Sequence, residues 1–131
     1  MAPGAEFRFI AHLPQWGLRW PIVDGEWGGT LPTVAPDAAA TVWGAVFSVP
    51  DDEFELLDKA ETRESRTSAT VEAMDRTGKR HQVMVHLCAG SNGSVGTPSS
   101  RYVEAMLAGS RHWNLPAGWI AGLEEHLGNG I

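Results

Sequence analysis

The sequence of 131 residues predicts an α+β fold: a small twisted antiparallel sheet or partial barrel with flanking helices. Three observations carry this expectation. Apolar and polar residues alternate through the first third of the chain, punctuated by glycine and proline. A strong helix start then follows in "PDDEFELLDKAETRESR", residues 50–66. After a second alternating pair, the last third carries apolar residues at helical spacing. The length fits a single domain over residues 1–131 that is large enough to bury a core.

In chain order, "FRFIAHL" (7–13) places Phe7, Phe9, Ala11 and Leu13 on one side of a strand and Arg8, Ile10 and His12 on the other. The phase resumes after Pro14, with Trp16, Leu18 and Trp20 sharing a face. "DGEWGGTLPTVAPD" (24–37) is broken by glycine and proline, and predicts a turn, a short strand and a second turn at Pro36 and Asp37. "ATVWGAVFSV" (40–49) is β-branched and aromatic with little charge on either face, which reads as a central strand.

Pro50 ends that strand, Asp51 is the expected N-cap, and Asp52 and Glu53 suit the positive end of a helix dipole. Phe54, Leu57 and Glu61 then fall at i, i+3 and i+7, so a glutamate continues an apolar stripe. "TSATVEAM" (67–74) and "RHQVMVHLC" (80–88) form a hairpin joined by "DRTGK", with Gly78 free to take a positive φ. "AGSNGSVGTP" (89–98) reads as a flexible loop. Helix 99–110 follows with Ser99 as its cap, and Trp119, Ile120, Leu123 and Leu127 mark a last amphipathic helix after "NLP" (114–116).

Composition bounds the function. A net charge of −6 argues against a nucleic-acid grip, which needs a basic face. No apolar run approaches the ~18 residues of a membrane helix, and "MAPGAEFRF" lacks the features of a signal peptide, so a cytoplasmic protein without a membrane role is expected. The single cysteine, Cys88, leaves no internal disulfide and no cysteine-cluster metal site. The histidines at 12, 81, 86, 112 and 126 lack zinc-site spacing and are expected to be structural or solvent-facing. No G-x-S-x-G elbow frames a serine, the glycines at 90, 93 and 96 lack a Walker ending, and the six tryptophans are expected mainly in the core. The charge run 59–66 reads as a solvated helix end, apart from Glu61. If the stripe of Glu61 faces a pocket, desolvation raises its carboxyl toward neutrality, where one group both takes and returns a proton.

From residue 40 onward the layout resembles the gamma-glutamylcyclotransferase-like family. "ATVWGAVFSVPDDEFELLDKAE" (40–61) is similar to the family's "VWG" strand, short helix and "LDxxE" sequence. "GGTLPTVAPD" (28–37) resembles the preceding strand. "TPSSRYVEAMLAGSRHWNLPAGWIAGL" (97–123) resembles the "PSxxY" helix, "GLPxxY" and the final helix. Upstream, "FIAHLPQWGLRWP" (9–21) resembles the strand pair "ARLxxYRLxF".

The resemblance implies that Glu61 is the catalytic acid/base of an intramolecular reaction, in which a γ-glutamyl group cyclises to 5-oxoproline and releases an amine. It implies no metal or organic cofactor. Tyr102, the only tyrosine, matches the "PSxxY" tyrosine, which implies substrate binding or orientation of the glutamate. Departures accompany the match. The family's opening "YGSN" or "YGT" strand, whose loop holds the γ-glutamyl moiety, has no counterpart, so the chain is expected to begin after that strand and its helix. A tyrosine usual after the glutamate is replaced within "SRTS" (65–68), and the "GLPxxY" tyrosine and glycine become Trp119 and Asn114. Two other functions are therefore carried: an inactive relative that binds a small ligand or a protein, and a homodimer or partner chain covering an exposed sheet edge.

Overall fold

The computed structural model describes residues 3–24, 26–63, 66–88 and 96–128. The elements run β1 (Glu6–Asp24), β2 (Gly29–Ser48), α1 (Asp51–Arg63), β3 (Thr67–Asp75), β4 (Arg80–Leu87), α2 (Ser100–His112) and α3 (Ala117–Gly128). The strands form one antiparallel sheet in the order β2-β1-β3-β4. Near the end of β4, the Cys88 amide donates to Thr33 Oγ1 of β2 at 2.8 Å, which curls the sheet into a partial barrel. The predicted α+β architecture is the observed one. Residues 89–95, most of the expected flexible loop, lie outside the described residues.

The first two strands differ from expectation. Neither Pro14 nor Pro36 ends a strand: β1 and β2 are continuous, and residues 9–21 form one strand rather than a pair. The register runs from Glu6↔Ser48 to Pro14↔Thr41, then resumes at Trp16↔Pro36. Between those pairs only Gln15 of β1 faces residues 37–40 of β2, and Gln15 takes a positive φ of 65°. Both prolines border this bulge, where ladder hydrogen bonds are interrupted and a missing N–H costs little. Asp37 braces the excursion, accepting from Arg19 Nη2 at 2.9 Å and from the Ala39 amide at 3.0 Å. Those two hydrogen bonds, Arg19 first, hold its carboxyl below the usual carboxylate range.

Residues 40–49 also correct the sequence reading. Their composition suits a central strand, but among the described residues this part of β2 pairs only with β1, and β2 lies at an edge of the sheet. Of residues 40–49 only Val42 is buried; the others are half-buried or exposed, and several border the cavity described below. The Thr67–Asp75/Arg80–Leu87 hairpin forms as expected, with Gly78 at φ 86°. Asp75 organises its turn: Oδ1 accepts from Thr77 Oγ1 at 2.6 Å and from the Thr77 and Lys79 amides, and Oδ2 lies 2.8 Å from His81 Nε2. These contacts, led by the Thr77 hydroxyl and then His81, hold the Asp75 carboxyl far below its ordinary value.

Helix α1 opens one residue earlier than its expected cap, since the Pro50 carbonyl accepts from the Phe54 amide at 2.8 Å. Asp51, Asp52 and Glu53 fill the first turn, where the dipole favours acids. Helix α2 has the expected cap: Ser99 Oγ accepts from the Tyr102 amide at 3.2 Å and donates to the Trp27 carbonyl at 2.7 Å. The Thr30 amide donates to the Thr97 carbonyl and the Ser99 amide to the Thr30 carbonyl, both at 2.9 Å, so the helix start is fastened to β2.

The apolar residues divide into two clusters. Ala11, Leu13, Val42 and Ala73 line the inside of the sheet. Trp20, Val103, Leu107 and Leu123 fill the space between the far half of the β1/β2 hairpin and helices α2 and α3. Trp119 packs against both. Among the described residues, no helix is long and apolar enough to cross a membrane.

Candidate functional site

A cavity of about 800 Å³ lies against the inner face of the curled sheet. Phe54, Leu57 and Glu61 all line it, so the stripe read from the i, i+3, i+7 spacing faces a pocket. No residue of α1 is fully buried, because the face that would otherwise enter a core is turned to this space. The cavity also touches consecutive residues 42–47 of β2 and 82–86 of β4. A strand presents alternate side chains to one face, so contact with an unbroken run means that the strand edges, backbone included, border the space. Both are unpaired edges of the four-stranded sheet.

Glu61 is not the isolated carboxyl that the sequence suggests. Its Oε2 accepts from Arg66 Nη1 at 3.0 Å, and its side chain is 28% exposed against 6% for Arg66. Arg66 reaches this position because the chain turns inward at the end of α1, with the Arg66 amide donating to the Glu61 carbonyl at 3.1 Å. Arg66 Nε (3.1 Å) and Nη2 (2.5 Å) both donate to the Pro32 carbonyl of β2. The guanidinium is thus held between a helix end and a strand, and it presents a fixed cation to the carboxylate.

Tyr102 lines the same cavity from α2. Its ring centroid is 5.9 Å from Arg66 Cζ, and its edge meets Trp27 at 5.0 Å between centroids. Glu61 and Tyr102 are therefore brought to one site, linked through Arg66 and not by direct contact. Reading residues 59–66 as a solvated helix end fails at Arg66, which is 5% exposed. A charge run does not show which member turns inward. The separation of five also fits no pairing on a continuous helix, where partners stand three or four apart. Arg66 immediately before the alternating strand 67–74 was the available sign.

Other polar groups border the cavity. His86 Nε2 lies 2.9 Å from Asp58 Oδ1, and its ring stands 5.9 Å from that of Phe54. His12 packs 4.6 Å from Trp43 and has a buried Nδ1 without a hydrogen-bond partner among the described residues. His81 is tied to Asp75, while His112 and His126 rest against Trp113 and Trp20. Among the described residues, no three His, Cys, Asp or Glu side chains are grouped closely enough to hold a metal ion.

Comparison with known proteins adds to this geometry. No curated protein matches the chain by sequence. Among solved structures, an uncharacterized protein from Homo sapiens superposes with a TM-score of 0.84 at 23% identity, covering 93% of this chain and 75% of that one. A gamma-glutamyl cyclotransferase superposes with a TM-score of 0.84 at 21% identity, covering 94% and 75%. YkqA from Bacillus subtilis gives 0.78 at 17% identity, covering 94% of this chain and 45% of that one. The chain thus has the gamma-glutamylcyclotransferase-like fold. The model of the AIG2-like family matches residues 41–123, which span β2 from Thr41, α1 with Glu61, the hairpin, and α2 with Tyr102. On that match, the chain belongs to the AIG2-like family.

Proposed function

We propose that this protein cyclises a γ-glutamyl amine or peptide to 5-oxoproline and releases the amine, with Glu61 as general acid and base. The observation that carries the reading is the Glu61 carboxylate on the wall of the cavity, with Oε2 held by Arg66 and Oε1 accepting no hydrogen bond among the described residues. The carboxylate removes a proton from the substrate α-ammonium. The freed amine attacks the γ-carbonyl carbon, giving a tetrahedral oxyanion in a five-membered ring, and the new ring nitrogen, which still carries two hydrogens and a positive charge, releases one proton to solvent. The bond from that carbon to the leaving nitrogen then breaks as the Glu61 carboxyl returns the proton to it. Attacking and attacked groups belong to one molecule, so ring closure supplies the proximity and a single carboxylate carries the proton both ways. Tyr102, whose hydroxyl has no partner among the described residues, orients the substrate from its place beside Arg66. The chemistry uses no metal or organic cofactor, and the reading places it in the cytoplasm.

The test is 5-oxoproline release from a panel of γ-glutamyl amino acids and amines. Turnover by the parent and a loss of about 10²-fold or more in Glu61→Gln is expected. Absence of turnover across the panel removes the enzyme reading.

A second reading, a binding module without turnover, is favoured by the edge of β2. Val42, Trp43, Val46 and Phe47 carry no charge, yet they lie on an edge strand whose outer side has no strand partner among the described residues and borders the cavity, where natural sheets usually place charge or proline. In this reading a strand from a second copy of the chain pairs with that edge. Light scattering over a range of concentrations is then expected to show a dimer. A monomer at every concentration excludes this assembly.

A further inference from the structure

The ion pair at the cavity wall has more capacity than it uses. A guanidinium carries five N–H donors. Arg66 spends Nε and one Nη2 hydrogen on the Pro32 carbonyl and one Nη1 hydrogen on Glu61 Oε2. Each Nη thus keeps one N–H without a partner among the described residues, and Glu61 Oε1 keeps its acceptor positions. A cationic donor pair and an anionic acceptor therefore stand side by side, their joined atoms 3.0 Å apart. Half-burial strengthens whatever charge they meet, because fewer waters compete there.

We infer that Arg66 is a further specificity-determining residue beside Glu61, its two remaining N–H groups taking the α-carboxylate of a ligand whose α-ammonium meets the Glu61 carboxylate. An α-amino acid carries both charges on one carbon, so it meets adjacent opposite charges without having to separate them. Docked this way, the four charges alternate in sign, and neither protein group loses its present partner. That matters because an unpaired buried guanidinium is costly, and the Pro32 carbonyl and Glu61 continue to hold Arg66 in place. The Tyr102 ring beside Cζ keeps the guanidinium plane from turning away. Phe54 and Leu57 border the same space and receive the methylenes of the ligand side chain.

The inference rests on the γ-glutamyl reading for the placement of the ligand, but not for its chemistry. It assigns a role to Arg66, which lies in the stretch 65–68 where the resemblance expects a tyrosine, and it restricts ligands to those with both head-group charges free. Side-chain length and the amide substituent are left to the rest of the cavity.

Calorimetric titration of the parent with L-glutamine, N-acetyl-L-glutamine and L-glutamine amide tests it, since the last two each lack one head-group charge. L-glutamine is expected to bind, and each blocked compound to bind about tenfold or more weakly, as the loss of a charge-assisted hydrogen bond requires. Arg66→Lys is expected to lessen discrimination against the amide while keeping that against the N-acetyl compound. Glu61→Gln should do the reverse. Equal binding of all three compounds by the parent, or no binding of L-glutamine at millimolar concentration, overturns the inference. If Arg66→Lys does not fold, the parent series and Glu61→Gln still decide. Head-group discrimination without 5-oxoproline release removes the cyclisation reading alone. Release without discrimination removes this inference alone.

Discussion

Helices α1 and α2 have the same length, thirteen residues, and both carry an apolar stripe. They use it differently. Helix α2 buries Val103, Leu107 and Ser110 between the long hairpin and α3, whereas α1 buries no residue and turns Phe54, Leu57 and Glu61 to an 800 Å³ cavity. Amphipathic spacing therefore fixes which side of a helix faces inward, but not whether the inside is packed. In this protein the α2/α3 end is packed, and the α1 end borders open space.

The sharpest way to break the comparison is a matched pair of truncations. Leu107, 2% exposed, should cost about 2–5 kcal/mol when changed to alanine, because its side chain is withdrawn from water and packed with Trp20, Val103 and Leu123. Leu57→Ala should cost roughly 1 kcal/mol, because its side chain already borders open space. Urea denaturation of both variants measures the difference, and equal losses would show that the cavity is packed in solution.

A second test strikes the α2 end through its backbone. A Cβ at Gly29 would lie 2.7 Å from Ser99 Cα and 2.8 Å from both Ser99 N and Thr97 O, so strand or helix start must shift. Gly29→Ala is expected to destabilise by about 1–3 kcal/mol. Thermal melts of this variant with and without a bound ligand would show whether the shift reaches Tyr102. Smaller still is Ser99→Ala, which removes the α2 cap and the bond to Trp27 and should cost roughly 0.5–2 kcal/mol by the same denaturation measurement.

The smallest effect belongs to the β3/β4 hairpin, next to the open end. The Asp75 carboxyl titrates below its ordinary value of 3.8, so its contribution is complete above that pH and is lost as pH falls through the depressed folded value. Asp75→Asn should lower the melting temperature at neutral pH, and the gap to the parent should close in strong acid. A gap that stays constant down to the acid limit would place the effect in packing and not in the charge.

Much of this was legible in the residues. The α1 stripe, the Gly78 hairpin, the Ser99 cap and the helical spacing of Trp119, Ile120, Leu123 and Leu127 each rest on a local rule, and each element formed. What the sequence hid was relational. Pro14 and Pro36 look like strand ends until they are seen bordering one bulge. Residues 40–49 look central because apolar composition usually reports burial, yet Val42 alone among them is buried and their edge borders the cavity. Arg66 was concealed for the same reason: its partner, the Pro32 carbonyl, is a backbone group 34 residues away and leaves no mark on side-chain pattern.

The bulge at Gln15 has one more consequence, for how this chain tolerates changes in length. Side chains alternate along a strand, so inserting one residue into an unbroken ladder sends every later residue to the wrong face. Here residues 38–40 belong to neither register, since pairing stops at Pro14↔Thr41 and restarts at Trp16↔Pro36. The two halves of the hairpin are therefore phased independently. A residue gained or lost at 38–40 is taken up within the excursion, so neither half of the hairpin exchanges inside for outside.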